Sequence, residues 1–168
     1  MSVNPSALQV REANFGFLVT GGAKTLPASG SGDIFSVNNG RVIITSLIGV
    51  VSTAIQAQAT TLSVGNKPTG GASATATLCA TADLNNKPVG TTLAVPAAKA
   101  SALIVSGADG TVVFNGSSGG QGIPVSSGGL AIVPAGTIQV TTVATSTGAI
   151  IWSCTYVPFD VGATVTAL

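Results

Sequence analysis

The stretch Gly136–Asp160, GTIQVTTVATSTGAIIWSCTYVPFD, constrains the fold more than any other part of the chain. Its second half places Ile150, Trp152, Cys154 and Tyr156 at alternate positions, with Ile151, Ser153, Thr155 and Val157 between them. Successive side chains of a strand point to opposite faces, so large apolar residues at period two mark a half-buried β-strand. In the first half Ile138 and Val140 alternate with Gln139 and Thr141, and Ala144–Gly148 supplies a polar reversal. The single Trp and the single Tyr of the chain both lie here, and aromatics bury more area than other residue types. The pattern predicts a hairpin whose Ile138, Val140, Ile150, Trp152 and Tyr156 form the core against which the other strands pack.

The rest of the chain also reads as strands. No long segment shows a 3.6-residue apolar period, and Thr, Val, Ile and Gly favour strands and turns over helix. Asn38-Asn39-Gly40 predicts a tight hairpin between Asp33–Val37 and Arg41–Val51. The second of these, RVIITSLIGVV, is apolar on both faces and is expected to be central. Ser52–Val64 alternates and then changes parity at Thr60-Thr61, as a β-bulge would make it do. Further strands are expected at Ala74–Ala82, with Ala74, Ala76, Leu78 and Ala80 on one face, and at Gly90–Val95 and Ala100–Val105. Others fall at Thr111–Phe114, Ile123–Val125 and Leu130–Val133, and Gly162–Leu168 closes the chain as an edge strand. About ten to twelve short strands with frequent turn signals predict an all-β fold, an antiparallel β-sandwich of jelly-roll type over residues 33–168.

Met1–Gly32 reads as an extended N-terminal arm, with Pro5, Pro27 and an Ala-Ser-Gly-Ser-Gly tract. Only Asn14–Thr20 has strand character. Phe15, Phe17, Leu18 and Val19 are its apolar anchors and the expected interface residues, on the chain's own domain or on a neighbour.

Only 7% of the residues are charged, against about 25% in ordinary soluble domains. The formal net charge is +1 and the mean hydropathy +0.59. So few charges protect a lone subunit poorly from association, which implies that other protein covers much of its surface. A near-zero balance without a basic cluster argues against nucleic acid as a partner. The longest apolar-leaning run, Val42–Ile55, has 14 residues, whereas a spanning helix needs about 20. An aromatic content of 4% cannot build the girdles of a membrane barrel, so no membrane association is expected. MSVNPSALQVRE lacks a basic region followed by an apolar one, so no export signal is read. Cys79 and Cys154 are therefore expected as reduced thiols inside strands.

Catalytic chemistry is hard to find. The chain has no histidine, which removes the commonest general base and metal ligand. Glu12, Asp33, Asp83, Asp109 and Asp160 are scattered, and the aspartates read as turn residues. There is no zinc-type cysteine spacing, and glycine-rich Gly116–Gly122 lacks the Lys-Ser/Thr of a phosphate loop. Asn115-Gly116-Ser117 matches a glycosylation sequon that means nothing without export. Lys24, Lys67, Lys87 and Lys99 fall at loops and strand ends, where lysine aids solubility or protects a sheet edge. The expectation is a protein that is not an enzyme and has no catalytic residues, cofactor or metal.

Four segments carry a resemblance: Thr53–Val64 (TAIQAQATTLSV), Thr77–Asp83 (TLCATAD), Ala135–Val140 (AGTIQV) and Ser146–Asp160 (STGAIIWSCTYVPFD). Together they resemble a group of small proteins of tailed bacteriophages that are head decoration or minor capsid components. The resemblance spans roughly Ile43 to Leu168 and rests on structural strand motifs. It implies a non-enzymatic virion protein, made in the host cytoplasm, that cements the outer capsid surface. Its partners would be the major capsid protein and further copies of itself, commonly as a homotrimer on local threefold axes. Attachment would combine apolar burial with strand addition at exposed edges. The alternative is a carbohydrate- or receptor-binding sandwich module of a phage fibre or tail or of a bacterial surface. That module would need exposed aromatics, and Trp152 and Tyr156 are assigned to the core.

Overall fold

The alternation in the sequence is realised as burial. In a computed structural model, which describes residues 6–70, 75–96, 100–106 and 131–168, Ile150, Trp152, Cys154 and Tyr156 are buried, while Ile151 and Val157 are exposed. Ile138 and Val140 are buried too. All five expected core residues therefore lie in the core.

The first described element is helix α1 (Ala7–Phe15), followed by β1 (Phe17–Thr25), β2 (Gly30–Asn38), β3 (Val42–Thr53), β4 (Thr61–Pro68) and β5 (Ala76–Asp83). Then come β6 (Thr92–Ala94), β7 (Ile104–Val105), β8 (Ala131–Val133), β9 (Gly136–Thr142), β10 (Ala149–Pro158) and β11 (Thr164–Ala167). They form two antiparallel sheets. One has the order β1-β10-β3-β6-β7, with β8 also on β3; the other has the order β11-β2-β9-β4-β5. The inner faces meet in one cluster that includes Val42, Leu47, Trp152 and Cys154 from the first sheet and Phe35, Val64, Cys79 and Ile138 from the second. The expected antiparallel β-sandwich is therefore found. The strand order does not by itself establish the jelly-roll connectivity expected with it.

Pairing differs from expectation in three places. Gly136–Asp160 is not a hairpin: β9 pairs with β2 and β4, whereas β10 pairs with β1 and β3. The reversal after β9 carries the chain across the core to the other sheet. Asn39-Gly40 is likewise a corner between sheets, because β2 and β3 belong to different ones. Asn39 does adopt positive φ, at 59°. The parity change at Thr60-Thr61 is not a bulge. β3 ends at Thr53, and β4 begins at Thr61 in the opposite sheet. On β5 the buried residue is Cys79, whose parity is opposite to that of Ala76, Leu78 and Ala80, and the register with β4 shifts on either side of Val64. Thr111–Phe114, Ile123–Val125, Asp109, Lys99, the sequon and Gly116–Gly122 lie outside the described residues.

The N-terminal segment is also more ordered than an arm. Ser6 caps α1 with its side chain accepting from the Gln9 N–H, while Gln9 Oε1 accepts from the Ser6 N–H at 2.8 Å. This capping box, Ser-x-x-Gln, is a sequence signal for a helix start that the strand reading overlooked. β1 then joins the first sheet beside β10, and β2 starts at Gly30, so Gly32 marks no structural boundary.

Both margins of the sandwich are managed. On β1 the register slips between Thr20 and Ala23, at Gly21-Gly22, and an irregular edge resists pairing with another chain. At the other margin Ala80 donates to Ser101 O at 2.9 Å and accepts from Leu103 N at 3.1 Å. These bonds tie β5 to the segment that leads into β7. At one end Arg41 and Asp160 clasp the two loops. Arg41 donates to Asp160 from its backbone N–H, Nε and Nη2 at 2.7–2.9 Å, and its guanidinium stacks 4.5 Å from the Phe159 ring centre.

Candidate functional site

The two outer faces of the sandwich are chemically opposite. Antiparallel partners share a face, so register assigns side chains to it. On the outside of the five-stranded sheet lie Ser31, Asp33, Ser36, Asn38, Thr137, Thr141 and Thr166. They satisfy one another: Ser31 and Thr141 hydroxyls are 2.8 Å apart, Ser36 donates to Asn38 at 2.9 Å, and Asn38 donates to Thr166 at 3.2 Å. Gln139 donates to Asp33 on the same face. This is an ordinary solvated sheet surface.

The six-stranded sheet is different. Ile151 pairs with Val50 and Ala23, Ser153 with Ile48 and Thr20, Thr155 with Ser46 and Leu18, and Val157 with Ile43. Ile43 in turn pairs with Ile132 of β8. Among the described residues of this outer face no side chain carries a charge. Leu18, Val50, Ile132, Ile151 and Val157 are between 36% and 53% exposed. A sheet with one solvated face normally alternates apolar and polar positions. Here β3 and β10 place aliphatics on both faces. The exposed aliphatics gather at the two ends of the outer face, Ile151 with Val50 and Val157 with Ile132, on either side of a band of Ser153, Thr20, Thr155 and Ser46 hydroxyls. Exposed apolar surface without charge marks an interaction site more often than an accident of folding.

Helix α1 borders the face. The Phe15 carbonyl accepts from the Thr45 hydroxyl at 3.0 Å, and Gly16 is seated on the backbone of Tyr156. Gly16 has φ of 91°, and a Cβ there would lie 2.3 Å from the Tyr156 carbonyl oxygen. Only glycine permits this crossing. The C-terminal end of the helix thus lies at the Val157 end of the face. Its Leu8, Val10 and Phe15 are all exposed, although short helices depend on tertiary packing for most of their stability.

The four expected interface residues separate. Leu18 belongs to the uncharged face. Val19 packs against the core from the inner side. Phe17 is exposed but has its ring 5.8 Å from that of Tyr156, and Phe15 ends the helix. The larger part of the face, on β3 and β10, was missed as a surface. Its signal was the apolarity of RVIITSLIGVV on both faces, from which only a central strand was expected.

The other candidate chemistry resolves as structure. Asp83 accepts from the Asn85 N–H at 2.9 Å in an Asx turn. The Arg41 side chain and backbone N–H hold the Asp160 carboxyl well below its ordinary range, at about 2. Cys79 and Cys154 are buried free thiols; burial pushes Cys79 up and Cys154 up to about 12. Among the described residues no group of three or more His, Cys, Asp or Glu could hold a metal ion, and no helix is long and apolar enough to cross a membrane. Comparison with protein-family models, with curated proteins and with solved structures finds no match.

Proposed function

We propose that the chain is a non-enzymatic structural protein of a tailed-bacteriophage virion. It is made in the host cytoplasm and decorates the outside of the head, acting as a cement through contacts with the major capsid protein and with further copies of itself. The observation that carries this reading is the uncharged outer face of the six-stranded sheet, with the aliphatic Leu18, Val50, Ile132, Ile151 and Val157 exposed on it. Covering a half-exposed aliphatic side chain contributes roughly 1 kcal/mol, and many copies on one lattice add avidity. The sequence resemblance supports the same reading. A carbohydrate-binding module draws less support, because Trp152 and Tyr156 are buried and, of the exposed Phe15, Phe17 and Phe159, Phe17 packs against Tyr156 and Phe159 lies under the Arg41 guanidinium.

The test is to mix the purified chain with undecorated heads and sediment them at low and at high salt. Co-sedimentation is expected at both, since an apolar contact has few charges to screen. A protein left in the supernatant at both salt concentrations would refute the proposal.

A further inference from the structure

We propose that the outer face of the six-stranded sheet packs against the same face of a second copy about a two-fold axis, so that the unit in solution is a dimer. This rests only on the self-association part of the preceding proposal, and it names the surface responsible.

Charge argues for a second copy as the occupant. In a two-fold contact a residue off the axis meets the position across the axis on the partner, so a charge on the face would need its opposite there. The described residues of the sheet face carry none, and its two apolar ends, Ile151 with Val50 and Val157 with Ile43, fall opposite each other. A partner steered by electrostatics would need charges here to pair with. Self-packing through one flat patch is isologous, which gives a dimer. A trimer would need two different patches in contact, so the geometry departs from the threefold arrangement that the resemblance implies.

Area argues the same way. The face is four strands wide at β1, β10, β3 and β8 or β6, and its paired rows run from Val157 to Ile151. At strand spacings of about 4.8 Å and about 3.3 Å per residue, it covers about 440 Å² per copy before the helix is counted. Two copies of the sheet face alone give about 880 Å² from the same spacings, and α1 has to supply the remainder of the about 1,000 Å² that a specific interface needs. Sheets stacked face to face at about 10 Å interdigitate aliphatic side chains of this size.

The helix sets the direction. α1 lies at the Val157 end of the face, where it would collide with its own copy if like ends met. With the axis across the strands, each helix instead covers the opposite end of the partner's face. There Val50 and Ile151 are exposed, and Leu8 and Val10 gain the apolar cover they lack.

Sedimentation velocity of the full chain tests this, with Ile151→Lys and Val157→Glu as variants, at two positions that the two-fold places opposite each other. Ile151 and Val157 are already 36% and 39% exposed, so unchanged thermal unfolding of the variants is the fold control. The wild type is expected as a dimer. Each variant alone is expected as a monomer, with dimerisation weakened by at least about a hundredfold, because a charge buried without a partner is strongly unfavourable. An equal mixture of the two variants is expected to regain the dimer, which misfolded variants could not do. A monomeric or trimeric wild type, variants that dimerise like the wild type, or a mixture that stays monomeric would overturn the inference. Head co-sedimentation in parallel separates the two proposals. A dimer that ignores heads removes the virion reading alone, and a monomer that binds heads removes the two-fold face alone.

Discussion

Gly49→Ala tests the packing of the core at its largest side chain. Gly49 lies directly opposite Trp152 in the β3–β10 register. A Cβ added there would sit 2.9 Å from Ile150 Cγ2 and 3.0 and 3.1 Å from Trp152 Cζ3 and Cε3. Neither neighbour has room to retreat, since Ile150 is 0% and Trp152 2% exposed. Overpacking a filled core costs about 1–3 kcal/mol. The loss of unfolded-chain entropy on replacing glycine returns about 0.4–1 kcal/mol. The net expectation is a destabilisation of about 1–2 kcal/mol. For a chain of this size that lowers Tm by about 2–8 °C. The assay is thermal unfolding followed by circular dichroism, with Trp152→Phe and the double variant completing a cycle. Phe removes the ring atoms nearest to the new Cβ, so Gly49→Ala should cost less in the Phe background, by about 0.5 kcal/mol or more. If Gly49→Ala is as stable as the wild type, or if the two changes are additive, the close approach of indole to backbone is not what glycine is needed for.

Two further outcomes follow from the ionisable groups. The Asp160 carboxyl, held to about 2 by Arg41 against an ordinary 3.8, contributes stability that is present above pH 4 and is lost as pH falls from about 4 through about 2. Asp160→Asn should therefore flatten the acid limb of Tm against pH in that window; an unchanged limb would show that the clasp contributes nothing. Cys79 and Cys154 are 0% exposed, with Cys154 pushed up to about 12 by burial. The folded protein should thus react with a thiol reagent near neutral pH only at the rate of global unfolding, while both thiols react at once in denaturant. Rapid titration of either thiol in the native state would contradict its placement in the core.

The uncharged face was half legible from the residues. Leu18 was singled out as an interface residue, and it does lie on that face. RVIITSLIGVV is apolar on both faces and is expected to be central, and β3 does lie between β10 on one side and β6 and β8 on the other. Being central in the sheet does not decide what covers each face: Val50, Ile48 and Ile43 lie on the outer one, beside Ile151, Ser153 and Val157. The helix was legible in principle through Ser6 and Gln9, but its nine residues are too few to show a clear period.

Which side of each strand faces inward was decided locally. The parity of Ile150, Trp152, Cys154 and Tyr156 could be read without a structure, because alternation depends only on the pleat of a single strand. The all-β class followed from the same pattern repeated along the chain. Which strands pair was not decided locally. A polar reversal such as Ala144–Gly148 or Asn39-Gly40 turns the chain equally well into the neighbouring strand or across to the opposite sheet. β9 and β10 ended in different sheets because their register partners, β2 and β4 for one and β1 and β3 for the other, come from distant parts of the chain. Tertiary packing alone made that choice, and with it the choice of which aliphatic face was left open to solvent.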